Sequence, residues 1–190
     1  MASIARSAAR ERILHTADRL FSERGIRDVG VDELVATSRV ANATFYRHFP
    51  SKDELVLAFL VRSGEIRMPG TIVQQAFSLE MNKREQFLSI FDELDSWFRG
   101  PDFGGDATMN VLIEMGPQHA LGKASLTQVV CLFQVLREQA RNAGFHDPDD
   151  FAYSFQILMR GAIIAAQIGD IDAARRSKVF AGWLLDHQKV

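Results

Sequence analysis

The sequence predicts an all-α protein, with a three-helix N-terminal domain over residues 1–55 and a longer helical domain over residues 56–190. Apolar residues recur at helical spacings of three and four along most of the chain, and the alternation typical of strands hardly appears. The composition, 47% hydrophobic and 24% charged, is that of a globular chain. No apolar run approaches the roughly 18 residues that a membrane-spanning helix needs.

Apolar stripes predict three short helices near the N-terminus, over residues 8–24, 31–38 and 42–49. Gly25 is placed to cap the first helix, and a joint over 39–41 separates the second helix from the third. Pro50 ends the third helix, because proline disfavours a helical residue before it. This helix carries Phe45, Tyr46 and Phe49 on one predicted face.

Start and stop signals predict the later helices. Ser51 and Glu54 form a capping box, which opens a fourth helix that is predicted to end around Met68-Pro69-Gly70. Asp147-Pro148 gives an acidic N-cap followed by proline at the first helical position. The five further predicted helices cover 82–99, 107–115, 125–143, 148–169 and the residues from 170 onward.

The three N-terminal helices have the proportions of a helix-turn-helix, whose second helix enters the major groove of DNA. Residues 36–52 contain Arg39, Arg47, His48 and Lys52 and no acid. The chain up to Lys52 carries nine Lys and Arg against six Asp and Glu, a balance of +3, whereas the remainder carries thirteen against eighteen, a balance of −5. Local positive charge favours contact with a polyanion. An ordinary helical bundle with a few surface bases remains the alternative at this point.

The residue types of the third helix suit base and phosphate contacts. Arginine reads guanine, asparagine reads adenine, and alanine or the threonine methyl group contacts thymine. Tyr46 and Lys52 suit phosphates, and Lys52 also stands at a helix N-terminus. The residues predicted to face the groove and its walls are Asn42, Ala43, Thr44, Arg47 and His48.

Two segments resemble the DNA-binding domain of the tetracycline-repressor (TetR) family of bacterial transcription regulators. They are Val-Asp-Glu-Leu at 31–34 and Thr-Phe-Tyr-Arg-His-Phe-Pro-Ser-Lys at 44–52. The preceding helix, with Leu20-Phe21 before Gly25, is also similar, so the resemblance covers about residues 8–60.

The resemblance implies a role for each matching position. It implies phosphate contacts by Thr44, Tyr46, His48 and Lys52, base contacts by Asn42, Ala43 and Arg47, and positions near the DNA backbone for Thr37 and Arg39. Three positions depart from the family, which usually has glycine at position 39, serine at 41 and often glycine at 43. Arg39 lacks the access of glycine to positive φ. Ala41 removes a helix N-cap unless Asn42 takes that role.

The resemblance further implies that residues from about 70 onward form a ligand-sensing and dimerisation domain. Its apolar and polar candidates for a small-molecule site are Phe87, Phe91, Trp97, Met109, Glu114, Phe133, Phe155 and Met159. A plain hydrophobic core is the alternative reading of these aromatic side chains. The expected regulator, a repressor bound to a palindromic operator, would release DNA when this effector binds.

A two-fold homodimer is predicted through residues 148–187, because two recognition helices must lie about 34 Å apart to enter successive major grooves. The apolar residues assigned to this contact are Phe151, Phe155, Leu158, Met159, Ala162, Ile163 and Ala166 on one helix, and Phe180, Trp183 and Leu184 on the other. Packing of both helices within their own chain is the alternative.

Two other classes of protein were weighed: an all-helical small-molecule enzyme and an adaptor that does not bind DNA. The five histidines are scattered, and no Gly-rich phosphate loop or nucleophile elbow is present, so neither a metal nor any cofactor is predicted. Cys131, the single cysteine, lies among apolar neighbours, which predicts a buried, inert thiol. Without a signal peptide or a spanning segment, the expected localisation is cytoplasmic.

Overall fold

The computed structural model describes the backbone of residues 2–67, 69–101 and 103–188, and the side chains of 8–62, 69–101 and 103–188. Within these ranges the protein contains ten α-helices and no strand, which confirms the all-α prediction. None of the described helices is both long and apolar enough to cross a membrane. The helices are α1 (Ala2–Arg24), α2 (Val31–Ser38), α3 (Asn42–His48), α4 (Lys52–Arg67), α5 (Pro69–Ser78), α6 (Lys83–Phe98), α7 (Ala107–Met115), α8 (Ala120–Asn142), α9 (Pro148–Gln167) and α10 (Ala173–Asp186).

One compact unit comprises Met1–Ser63 and Ala107–Leu126. In it, α1 packs against both α2 and α3. The rings of Phe21 and Phe59 meet edge to face, with centroids 5.5 Å apart. The largest fully buried side chains of this unit are Ile13, Leu14, Leu34, Phe45, Leu55 and Leu60. Each such side chain contributes about 1.5–3 kcal/mol through burial, so the short helices α2 and α3 rest on a substantial core.

The second compact unit comprises Gly64–Asp106 and Thr127–Val190. In this unit α6 packs against α5, α9 and α10. The ring of Phe87 lies at its centre, in contact with four other phenylalanine rings at centroid distances of 4.9–5.7 Å, namely those of Phe77, Phe145, Phe151 and Phe155. The apolar stripe predicted for α6 is therefore core. The functional division of the chain at residue 55 stays a prediction.

The sequence prediction misses one helix and places the start of several others wrongly; α1 begins at Ala2 rather than at residue 8. Helix α5 was missed, because Pro69-Gly70 was interpreted as a break although proline fits the first turn of a helix. Met68, where the fourth helix was expected to end, lies outside the described residues. Helix α8 begins at Ala120 rather than at residue 125. The side chain of His119 accepts the Leu121 N–H at 3.2 Å and so caps the start of this helix.

The turn between α9 and α10 is longer than predicted. Helix α9 ends at Gln167, and α10 starts at Ala173 instead of directly after Asp170. The predicted start of α9 is confirmed: the Asp147 side chain accepts the N–H of Asp150 at 3.0 Å, with proline at the first helical position. The capping role of Ser51 is confirmed too, since its hydroxyl accepts the Glu54 N–H at 3.1 Å.

The prediction of a buried thiol is wrong, because Cys131 is exposed. Consecutive residues of an α-helix point about 100° apart, so apolar neighbours in the sequence do not imply burial. Leu132 and Phe133 turn into the core, with 6% and 9% of their surface exposed, whereas Val130 remains 47% exposed beside the cysteine.

Candidate nucleic-acid interface

The joint between α2 and α3 is closed by backbone hydrogen bonds around a left-handed arginine. Arg39 has φ 53° and ψ 47°, and it is the one non-glycine residue with positive φ in the described part of the chain. Its N–H reaches the Ala36 carbonyl at 3.2 Å, and the Val40 N–H reaches the Val35 carbonyl at 3.4 Å. This conformation costs a side-chain-bearing residue about 1–2 kcal/mol. The helix-turn-helix bend is thus made at the position where the sequence lacks glycine.

Helix α3 buries one face and exposes the other. Phe45 and Phe49 are 0% and 2% exposed, as predicted. The prediction that Tyr46 shares this face is wrong, because its side chain is 51% exposed. Tyr46 follows Phe45 by one residue, a rotation of about 100°, and the two rings are nearly perpendicular, with centroids 5.4 Å apart. The exposed position suits the phosphate contact predicted for Tyr46.

The nine residues predicted to bind DNA are concentrated on α3 and its flanks. Six of them belong to α3, namely Asn42, Ala43, Thr44, Tyr46, Arg47 and His48. Thr37 and Arg39 are exposed at the end of α2, while Lys52 is the half-buried first residue of α4. Burial lowers the pKa of Lys52, and the negative charges of Glu114 and Asp53 oppose that shift.

Helix α3 begins without a side-chain cap. Ala41 is its N-cap, and its carbonyl accepts the N–H groups of Thr44 at 2.8 Å and Phe45 at 3.0 Å. Asn42 does not take over the capping role, because it is already the first helical residue and its side chain is exposed. The side chain of Asn42 is therefore exposed to solvent, and its contact with DNA stays a prediction.

Three comparisons with known proteins bear on this interface. The family model described as "Bacterial regulatory proteins, tetR family" matches residues 13–59. The HTH-type transcriptional repressor NemR of Escherichia coli (strain K12) is 38% identical over 139 residues, which cover 70% of this chain and 69% of NemR. The chain belongs to the TetR family. It is accordingly a DNA-binding transcriptional regulator, which confirms the expectation that it is not an enzyme.

Other relatives of this TetR-family chain match different shares of its length. A crystal structure of SCO4454, a TetR-family transcriptional regulator from Streptomyces coelicolor, covers 95% of both chains with a TM-score of 0.86 and 28% identity. The uncharacterized HTH-type transcriptional regulator YxaF of Bacillus subtilis is 37% identical over 62 residues, 32% of each chain. The present chain thus matches about a third of the length of that relative.

In this TetR-family chain the eight residues predicted to bind a ligand are divided between the two units. Six of them lie in the second unit, namely Phe87, Phe91, Trp97, Phe133, Phe155 and Met159, all buried. The indole Nε1 of Trp97 is buried without a hydrogen-bond partner among the described residues. Met109 and Glu114 lie on α7, in the first unit. A shared ligand site for these residues stays a prediction.

Sequence reasoning did not anticipate the contacts that the Glu114 side chain makes. One of its oxygens accepts the Ile26 N–H at 2.8 Å, and the other accepts the Arg27 N–H. The contact joins residues 87 and 88 positions apart in the sequence, so no local motif signals it. The only sequence signal is Gly25, which precedes the two amides.

The apolar face that the TetR-family chain presents to solvent on α9 differs from the predicted one. Phe151, Phe155, Met159, Ala162 and Ile163 were assigned to a dimer contact, but each is at most 1% exposed and belongs to the chain's own core. Helices buried on one face repeat at 3.6 residues, and the phase of the stripe was assigned wrongly. The exposed α9–α10 stripe consists instead of Tyr153, Ile157 and Ile164 on α9, Ile168 directly after its C-terminal end, and Val179, Phe180 and Trp183 on α10.

Proposed function

We propose that this chain acts as a homodimeric repressor, which binds a palindromic operator and releases it when a small molecule binds. The exposed, acid-free face of α3 carries the proposal, since it offers arginine, asparagine and threonine side chains to a groove while Phe45 and Phe49 anchor the helix from behind. The name of NemR, a repressor, supports the direction of regulation. A regulator of this kind works beside the chromosome, in the cytoplasm.

Within the interface we assign the base contacts and the phosphate contacts to different side chains. Asn42, Ala43 and Arg47 would contact base edges, because they are exposed on α3. Thr44, Tyr46, His48 and Lys52 would contact phosphates, with Thr37 and Arg39 beside the backbone at the joint. Phosphate contacts fix the register of a protein on DNA, whereas base contacts supply its sequence preference.

The exposed α9–α10 stripe supports the homodimer. Ile157, Ile164 and Ile168 are 70%, 52% and 83% exposed, and they follow one another at helical spacings of seven and four. Phe180 and Trp183 of α10 are 51% and 57% exposed, and their rings meet edge to face with centroids 5.1 Å apart. Two such helices from each chain would form a four-helix contact. A stable interface of this type buries about 2,000 Å² or more.

The proposed effector is a mostly apolar molecule with a hydrogen-bond acceptor. The aromatic candidates of the second unit would contact its apolar part. The Trp97 Nε1 group would donate to its acceptor, which would remove the free-energy penalty of a buried donor without a partner. An effector that binds the form unable to span the operator must weaken DNA binding, and operator DNA must weaken effector binding by the same factor.

The decisive experiment is selection of duplexes from a random library by the purified protein, followed by titration of the selected operator at several salt concentrations. We expect a palindromic sequence and a linear fall of log K with log salt, because each neutralised phosphate releases counterions. Arg47→Ala should weaken operator binding by about 1–3 kcal/mol and relax one base position. No enriched sequence, or an Arg47→Ala protein with unchanged preference at every position, would contradict the proposal.

A further inference from the structure

The carboxylate of Glu114 holds the turn between α1 and α2 from α7. Its two oxygens accept the consecutive N–H groups of Ile26, at 2.8 Å, and Arg27. Gly25 precedes these amides with φ +82°, and a Cβ at that position would lie 3.1 Å from Glu114 Oε2. Glycine is therefore favoured there for two reasons: it adopts the left-handed backbone without strain, and it leaves the carboxylate room that a Cβ would reduce.

These hydrogen bonds are of a strong kind. Consecutive backbone N–H groups next to a left-handed residue can point in one direction and form an anion-binding concavity. Hydrogen bonds to an ionised acceptor are about twice as strong as those between neutral groups. The C-terminal end of α1, by contrast, carries partial negative charge and would repel an unbonded carboxylate. The two amides are thus what makes an acidic residue favourable at this place.

The turn held by Glu114 is also fixed to α2. Arg24 donates to both carboxylate oxygens of Glu33 on α2, at 2.6 and 3.2 Å, and to the Asp28 carbonyl at 3.0 Å. Ile26 and Val29 anchor the same turn in the core, with 4% and 0% of their surface exposed. Because α2 begins directly after this turn and leads through the tight joint into α3, displacement of the turn would displace the recognition helix.

We propose that Glu114 is a positioning residue for DNA recognition, whose contact with the Ile26 and Arg27 amides fixes the orientation of α2 and α3 relative to α7. This role rests on the proposed function as an operator-binding dimer. In this role Glu114 does not itself contact DNA. It restricts the recognition helix α3 to the orientation that matches a half-site. The α3 helix of the other protomer can then enter the second half-site without a further loss of conformational entropy.

The same carboxylate also influences Lys52. Burial lowers the pKa of Lys52, and the negative charge of Glu114 is the largest influence that raises it again. The carboxylate that holds the backbone of the α1–α2 turn thus also acts electrostatically on Lys52, a proposed phosphate ligand.

The test is Glu114→Gln, which keeps the size of the side chain. A glutamine has one carbonyl oxygen, so its NH₂ group would face one of the two backbone N–H groups and break half of the contact. Glu93→Gln is the matched control, because Glu93 is an exposed carboxylate on α6. Each protein is titrated with three duplexes. The first is the duplex that the unmodified protein selects, the second is the same duplex with one extra base pair between its half-sites, and the third has an unrelated sequence.

We expect Glu114→Gln to bind the selected duplex about tenfold more weakly, since hydrogen bonds to a charged group are lost. One inserted base pair rotates a half-site by about 35°. The unmodified protein should lose much more affinity on this insertion than Glu114→Gln, whose recognition helices can adjust. Binding to the unrelated duplex should stay unchanged, the Ile26 and Arg27 amides should exchange faster with solvent, and Glu93→Gln should behave as the unmodified protein.

The outcomes separate this proposal from the proposed function. If the unmodified protein selects a duplex and Glu114→Gln binds it with the same affinity and the same insertion penalty, the positioning role is refuted and the proposed function stands. If no duplex is selected, the proposed function fails and the role falls with it. Circular dichroism checks the fold, and Glu114→Ala, which leaves both amides to water, is the second variant. If both variants unfold, Glu114 is a stabilising contact and the positioning role is refuted.

Discussion

Replacement of Arg39 by glycine should stabilise the protein and weaken its hold on DNA. Arg39 adopts φ 53° and ψ 47°, a conformation that costs a residue with a Cβ about 1–2 kcal/mol. Glycine removes this cost but loses about 0.5–1 kcal/mol more conformational freedom on folding. A net gain of about 0.5–1 kcal/mol remains, which for a chain of this length corresponds to a rise in Tm of about 2 °C.

The matched variant for this test is Arg39→Ala, which removes the same guanidinium but keeps a Cβ in the left-handed conformation. Both variants should reduce the slope of log K against log salt by about 0.9, the share of one phosphate contact. Arg39→Gly should melt at a higher temperature than Arg39→Ala, because only glycine relieves the strain of the left-handed backbone. Thermal unfolding followed by circular dichroism and DNA titration by fluorescence anisotropy measure the two effects. Equal melting temperatures would refute the strain argument, and an unchanged salt slope in both variants would refute the phosphate contact.

Two further predictions concern assembly and acid stability. Ile164→Glu combined with Trp183→Glu should yield a folded monomer with reduced operator affinity, since both side chains are more than half exposed in the single chain. Sedimentation measures the mass of the particle. The control variant Val130→Glu, on the exposed side of α8, should remain a dimer. The hydrogen bonds of Arg99 and the charge of Arg175 lower the pKa of Asp95. A lowered pKa gives stability above the ordinary value of 3.8 that is lost as the pH falls through the folded-state pKa. The difference in stability between the unmodified protein and Asp95→Asn should therefore shrink below pH 3.8, and a difference that stays constant in acid urea titrations would refute this account.

The sequence was sufficient for the class of the fold and for most helix ends, because these depend on local chemistry. The Asp147 cap, the capping hydroxyl of Ser51 and the glycine turn at position 25 could all be predicted from a few neighbouring residues. The sequence pattern places Phe45 correctly on the buried face of α3 but places Tyr46 there wrongly, since a rotation of one residue decides between core and solvent.

Features that depend on distant parts of the chain could not be predicted in this way. The Glu114 contact joins residues more than 80 positions apart, and it depends on where α7 packs. On α9 the apolar residues outnumber those that one face can bury, so the sequence did not show which of them face the core. Ile163 at 0% exposure and Ile164 at 52% are adjacent in the sequence and have the same side chain.

In the proposed homodimer, the exposed α9–α10 stripe would link the stability of this protein to its own abundance. In a single chain, Ile157, Ile168 and Trp183 leave more than half of their surface in water, and exposed apolar patches of this kind favour uncontrolled association. A second copy that covers them binds only the folded form, so by mass action it raises the free energy of unfolding as the concentration rises. A newly synthesised chain in a cell with few copies would then be the most vulnerable form of the regulator, exposed to proteases and aggregation until it meets a partner. The amount of regulator available to DNA would therefore fall more steeply than its rate of synthesis.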